Sequence, residues 1–267
     1  MQRDAIWGNK KLKPEVLDDG TFGTTIRPLD DARLFVHRDK LWVSYRDGPS
    51  FGYDKQVLNP IHITSSSSKK LESVTLKASE TVTFCCGRNM ALITTSLHQL
   101  KSLTWVDPVT VIDVDDGHHR RLASSNQKKS HIHGTNAFMV PFGEDELLGM
   151  AHFHRPPDRK ANEYARFGHH YTHAFFTITA QPPHRLKRLS SEFVLSSRYH
   201  SDDAEIIQFI SGLELRDDNE VILAWGINDC EGAAGTVSKS TVDKLLRQVS
   251  PGMEVVDFMR LHGAPSQ

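Results

Sequence analysis

From residue 33 to residue 237, short apolar runs alternate with polar turns, and the period of the pattern is two rather than 3.6. Residues 33–45 hold two apolar runs around Arg38-Asp39-Lys40 and predict a hairpin. Residues 73–84 alternate polar with apolar or β-branched positions and predict one strand. Residues 89–95 and 109–114 predict two more. Residues 137–140 and 147–154 flank a turn at 143–146, and residues 172–178 stop before Gln181-Pro182-Pro183. Residues 206–215 and 221–225 flank the turn at 216–219, and a third strand, 232–237, follows. The clearest helical pattern is at 240–249, with Ser240 or Thr241 as its cap and Val242, Leu245, Leu246 and Val249 on one face. Residues 65–70 read as a polar loop, and 155–168 as a longer loop of the kind that rims a functional site. Many short strands between turns predict an all-β domain, as a propeller, sandwich or barrel, with a short C-terminal helix.

Length and composition narrow this picture. At 267 residues the chain is long enough for a sizeable core, and nothing marks an interdomain linker, so residues 1–267 are expected to form a single domain. Lys and Arg number 32 against 33 Asp and Glu, a net charge of -1, which argues against nucleic acid as a partner. A hydrophobic content of 38% excludes wholesale disorder, and no apolar run approaches the ~20 residues of a bilayer span, so no membrane partner is expected. The three cysteines do not make a disulfide framework, and residues 1–16 lack the apolar core of a signal peptide. A reducing, cytoplasmic setting is the expectation. The pattern does not indicate an oligomeric state.

Candidate chemistry falls where the strands end. Asp30 and Asp31 followed by Arg33 place a carboxylate and a guanidinium at a strand mouth, which suits a general acid with an orienting Arg; a solvated turn is the plainer alternative. Residues 205–213 run into Ser211-Gly212, where a backbone can approach a ligand. In residues 223–230, Trp225 could stack on a sugar ring while Asn228 and Asp229 bind hydroxyls; an apolar strand with an Asx-rich turn gives the same sequence. The 15 histidines are bunched, as at His131 and His133, His152 and His154, and around His173. The i, i+2 spacing is one that metal sites use, but neighbouring Arg155, Arg120 and Arg166 would repel a cation. An anion or a hydroxylated ligand fits those edges better, so no metal is assigned and several histidines are left to structural roles.

These residues resemble a known family. Asp30 to Phe35 followed by Lys40 to Tyr45 looks like the Glu-Asp-Pro-Arg strand motif of five-bladed β-propeller glycoside hydrolases and phosphorylases. These belong to the arabinanase, levansucrase and invertase-like superfamily, and the resemblance is to its β-mannoside phosphorylase and β-mannosidase group. Residues 207–213 and 223–229 resemble its late strand pair, and residues 135–142 its Lys-Asn-aromatic-x-Pro-Phe segment. The resemblance implies a five-bladed β-propeller with an axial pocket. It also implies an inverting reaction on a β-mannoside-type oligosaccharide or related glycan, with Asp31 as general acid. Arg33, Asn136, His154, Arg155, His173, Trp225, Asn228 and Asp229 are then candidate substrate contacts. Arg88, His154, Arg155 and His173 are candidates for seating inorganic phosphate, a co-substrate in the family's phosphorylases; no other cofactor is implied. Ala32 stands in place of the family's Pro and Thr135 in place of its Lys. Asp31 also lies nearer the start than the family motif does, which the resemblance leaves as a truncated sequence, an incomplete first blade or a binding relative that lost catalysis. The alternative is a glycan-binding or glycosyltransferase-associated propeller module without catalysis.

Overall fold

Two extended segments, β1 (Asp30–His37) and β2 (Lys40–Asp47), form the expected hairpin. The turn is two residues long: Arg38 and Asp39 sit at φ 50° and 57°, the left-handed pair whose twist matches that of flanking strands. The computed structural model describes residues 30–47, 55–65, 71–76, 80–84, 89–95, 98–107, 109–114, 132–134, 138–154, 171–195, 207–217, 219–228, 231–249 and 258–261. The loop expected at 155–168 and all three cysteines lie outside the described residues.

The first sheet continues from β2 to β3 (Lys55–Ser65) and β4 (Leu71–Leu76), with β5 (Val82–Phe84) also on β3. The single strand expected over 73–84 is therefore two. Pro60 marks the reason. Up to it β3 pairs with β2 and β5, and from Ile61 it pairs with β4. A residue without an N–H cannot continue the ladder there. The second sheet is β6 (Ala91–Thr94), β7 (Leu100–Val106) and β8 (Val109–Asp113). The pattern did not predict β7, because Lys101, Ser102 and Thr104 interrupt its apolar run. Lys101 is nonetheless buried, with its Nζ 2.8 Å from Oδ1 of Asp113 on β8.

The third sheet centres on β11 (Glu146–His154) and β12 (Tyr171–Thr179). β9 (Ile132–Gly134) and β10 (Val140–Pro141) pair with β11. β13 (Leu186–Leu189) and β14 (Glu192–Leu195) pair with β12. The fourth sheet is β15 (Gln208–Arg216), β16 (Glu220–Ile227) and β17 (Glu231–Ser238). A short helix, α1 (Lys239–Leu245), follows. Its cap is Ser238, whose Oγ accepts the Thr241 N–H at 3.1 Å, rather than Ser240 or Thr241. The helix also stops early, because Leu246 is extended and β18 (Arg247–Gln248) pairs with β13. The last strand, β19 (Phe258–Leu261), runs parallel to β14.

Among the described residues the architecture is mostly β with one short helix, as the pattern implied. The described strands form four separate sheets, none closed on itself. Apolar clusters join successive sheets. Phe35, Leu58 and Phe84 of the first meet Leu92, Leu100 and Ile112 of the second. Ile93, Leu103 and Val111 of the second meet Phe176 and Ile178 of the third. Met150, Phe175 and Phe193 of the third meet Ile210, Leu213 and Leu223 of the fourth, with Val242 of α1. β12 is buried along nearly its whole length because it has a core on each face. Among the described residues, no helix is long and apolar enough to cross a membrane.

Candidate functional site

The regular pairing of β1 breaks at its start. Asp30 lies opposite Arg46 and Arg33 opposite Ser44, so Asp31 and Ala32 together face Tyr45 alone. This is a β-bulge, and Asp31 holds a φ of 53° within it. Asp is one of the few residues with a side chain that occupies this region at modest cost. Asp31 is exposed at the mouth of a cleft that it lines with Arg33, Ser44, Gln56 and Asn89 over an apolar floor. The floor has room for roughly one water-sized group.

Arg33, in the wall of the cleft, is drawn into the protein. It is 9% exposed and donates from its guanidinium to Oδ1 of Asn89, which sits at φ 59° just before β6. Its Cζ lies 5.5 Å from the centroid of the Phe209 ring on β15. One side chain of the first sheet therefore touches both the second and the fourth. Beyond Phe209 lies an aromatic group. The His152 ring is 5.2 Å from Phe209 and 5.6 Å from Tyr171, and Tyr171 is 5.3 Å from Phe209.

The backbone aligns histidines across the third sheet: His133 lies opposite His152, and His152 opposite His173. Among the described residues, no group of three or more His, Cys, Asp or Glu could hold a metal ion. His173 corrects the expectation of a phosphate contact. It is fully buried, and burial pushes its imidazole down to about 3, so it carries no positive charge at neutral pH. Its Nε2 accepts the Ile210 N–H at 3.1 Å. A buried neutral ring that acts as an acceptor does not seat an anion.

Trp225 and Asn228 are also committed to the fold. Trp225 packs against the core between the third and fourth sheets, and its ring lies close over Gly235. It stands opposite Ile210, one residue out of phase with Phe209, and so faces away from the Arg33 contact. The Oδ1 of Asn228 accepts the Ile207 N–H at 3.1 Å, while the Asn228 N–H donates to the Ile207 carbonyl at 2.9 Å. These bonds close the end of the β15–β16 pair. Arg88, Asn136, Arg155 and Asp229 lie outside the described residues, as does the His154 side chain. Of the predicted residues, the cleft brings together Asp31 and Arg33. Its other polar walls, Ser44, Gln56 and Asn89, and the Phe209 support were not singled out. Asn89 carried a signal, being a polar residue with left-handed preference directly before an apolar strand.

No family model matches the chain, and no curated protein matches it. Three solved structures align with it at 10% identity. A GDP-Man-dependent mannosyltransferase from Leishmania mexicana, MPT-1, aligns over 86% of this chain and 71% of its own, with a TM-score of 0.42. A hypothetical protein from Leishmania major aligns over 78% and 67%, with a TM-score of 0.39. MPT-4, a mannose phosphorylase from Leishmania mexicana in complex with phosphate ion, aligns over 79% and 85%, with a TM-score of 0.36. Similarity of this degree assigns neither fold nor chemistry to the chain.

Proposed function

We propose that the protein acts on glycans, as an inverting glycoside hydrolase or phosphorylase of the β-mannoside type, with Asp31 as the acid that protonates the leaving oxygen. The observation that carries this reading is the bulge. It holds a carboxylate at φ 53° on the rim of a cleft walled by a guanidinium, a hydroxyl and two carboxamides. The wall chemistry suits hydroxyl recognition. The sugar class comes from the resemblance of residues 30–35, 135–142, 207–213 and 223–229 to the β-mannoside group. The propeller goes with it. Apolar cores join the sheets in series, and the Arg33–Phe209 contact between the first and the fourth supports a radial arrangement around the cleft.

Exposure of Asp31 favours a second reading, glycan binding without turnover, because a proton donor is ordinarily held by burial or a nearby carboxylate. The Asp31→Asn substitution separates the two. Asn keeps the left-handed backbone and removes the proton. On a panel of mannosides, with and without inorganic phosphate, the first reading expects kcat to fall by about 10²–10⁴ while the fold is retained. Turnover that is absent from both forms, with glycan binding kept by both, selects the second. Stimulation by phosphate distinguishes phosphorolysis from hydrolysis.

A further inference from the structure

The buried imidazole of His173 takes no direct part in the cleft, yet the cleft's support begins there. Because Nε2 accepts the Ile210 N–H, the ring proton resides on Nδ1. Nδ1 is buried without a hydrogen-bond partner. An unsatisfied buried donor is costly, and an apolar residue of similar volume would avoid that cost. What the imidazole supplies is the acceptor for Ile210. That N–H adjoins the extra residue of β15, Ser211, since the register of β15 on β16 slips between Ile210 and Gly212. The residue before it is Phe209, whose ring lies against the Arg33 guanidinium.

We propose that His173 is a positioning residue for the cleft: by holding Ile210 it sets the bulged stretch of β15, and through Phe209 it fixes the Arg33 guanidinium in the cleft wall. This rests on the reading of the Asp31–Arg33 cleft as the functional site. The acceptor, not the ring, is the essential feature. Gln at 173 can present a carbonyl oxygen to Ile210, whereas Phe keeps the bulk and loses the acceptor.

The test reads Arg33 directly, through the Nε–Hε signal of the ¹⁵N-labelled full chain, assigned by its loss in Arg33→Lys. In His173→Phe, exchange of that proton with solvent is expected to rise about tenfold. His173→Gln is expected to restore the wild-type rate. Phe209→Leu leaves the Ile210 bond in place and removes the ring, and it is expected to match His173→Phe. Leu103→Ala, in the core between the second and third sheets, is the control for general loosening and is expected to leave the signal unmoved. The proposal is overturned if Arg33 exchange is unchanged in a folded His173→Phe or in Phe209→Leu, if Gln behaves as Phe does, or if Leu103→Ala shifts the signal equally. Should His173→Phe fail to fold, Phe209→Leu and His173→Gln decide. Turnover enters none of these measurements. A chain that shows the coupling and turns over no glycoside loses the acid assignment and keeps this one.

Discussion

A methyl group at position 149 has no room. A Cβ built there would lie 2.4 Å from Cζ of Phe176 and 2.9 Å from Cε of Met139. Phe176 is fully buried between the second and third sheets and has no open side to move toward. Gly149→Ala is therefore expected to destabilise the fold by about 1–3 kcal/mol, read as a lower urea midpoint at constant slope. A midpoint equal to wild type would mean that the Phe176 ring is less tightly held than its burial requires. Asp31 is governed by a different local rule, backbone conformation rather than space. That Asp31 and Arg33 line one strand mouth was readable from sequence, because two acids and an Arg before an apolar run are a local feature. The bulge was not, because one extra residue in a strand does not disturb a short period-2 pattern. Nor were the walls of the cleft: Asn89 reaches Arg33 across 56 residues, and no local pattern announces such a contact.

Between elements, the joint least evident from sequence is made by one side chain. Gln208 is fully buried at the start of β15, and its amide takes the place of a neighbouring strand. Oε1 accepts the Leu195 N–H at 2.8 Å, and Nε2 donates to the Leu195 carbonyl at 2.5 Å. Gln208→Ala would leave a buried donor and a buried acceptor on β14 unmatched, at about 1–3 kcal/mol each. Gln208→Glu keeps the volume and the acceptor, but turns an oxygen toward the Leu195 carbonyl. Both variants are expected to lower the thermal midpoint, with early loss of amide protection at Leu195. Protection at Leu195 unchanged in Gln208→Ala would show that β14 is held by β12 and β19 instead. The strands that were readable are those with an uninterrupted apolar or alternating pattern, such as β11, β12 and β16. Besides β3, β13 and β14, the pattern missed β7, whose apolar run Lys101, Ser102 and Thr104 interrupt, and the division of β4 from β5, which is set by pairing with β3. The end of α1 was missed for the same reason. Helical spacing carries through Leu246 to Val249, but pairing of Arg247 and Gln248 with β13 draws the chain into extended form.

The whole molecule's response to acid follows from groups whose protonation differs between the folded and unfolded chain. Burial holds the His173 imidazole neutral down to about pH 3, whereas the same group in an unfolded chain takes up a proton near 6.5. Between these values the unfolded state binds more protons, so stability rises with pH across the window and is lost as pH falls from 6.5 toward 3. One such group contributes a slope of about 1.4 kcal/mol per pH unit. A second contribution begins lower. Burial works against the Glu146 carboxylate, but the Thr177 hydroxyl, Arg188 and Lys187 outweigh it and hold the group below its usual 4.5. Its stabilising effect is complete above that value and is lost as pH falls below it. The ion pairs involved join three elements, since Arg188 on β13 lies 2.7 Å from Glu146 on β11 and 2.7 Å from Asp243 on α1. Acid unfolding should thus have two parts: a gradual loss below 6.5 set by the interior of the third sheet, and a steeper one below 4.5 as the Glu146 link between β11 and β13 weakens. The substitution His173→Gln removes the first and leaves the second. Its urea-derived stability, plotted from pH 6 to pH 4.5, is expected to be flatter than wild type by about 1.4 kcal/mol per pH unit, and the two curves become parallel only below about pH 3. Parallel curves over the whole upper range would mean that the imidazole is reached by solvent, and the positioning of Ile210 by a neutral His173 would fall with that result.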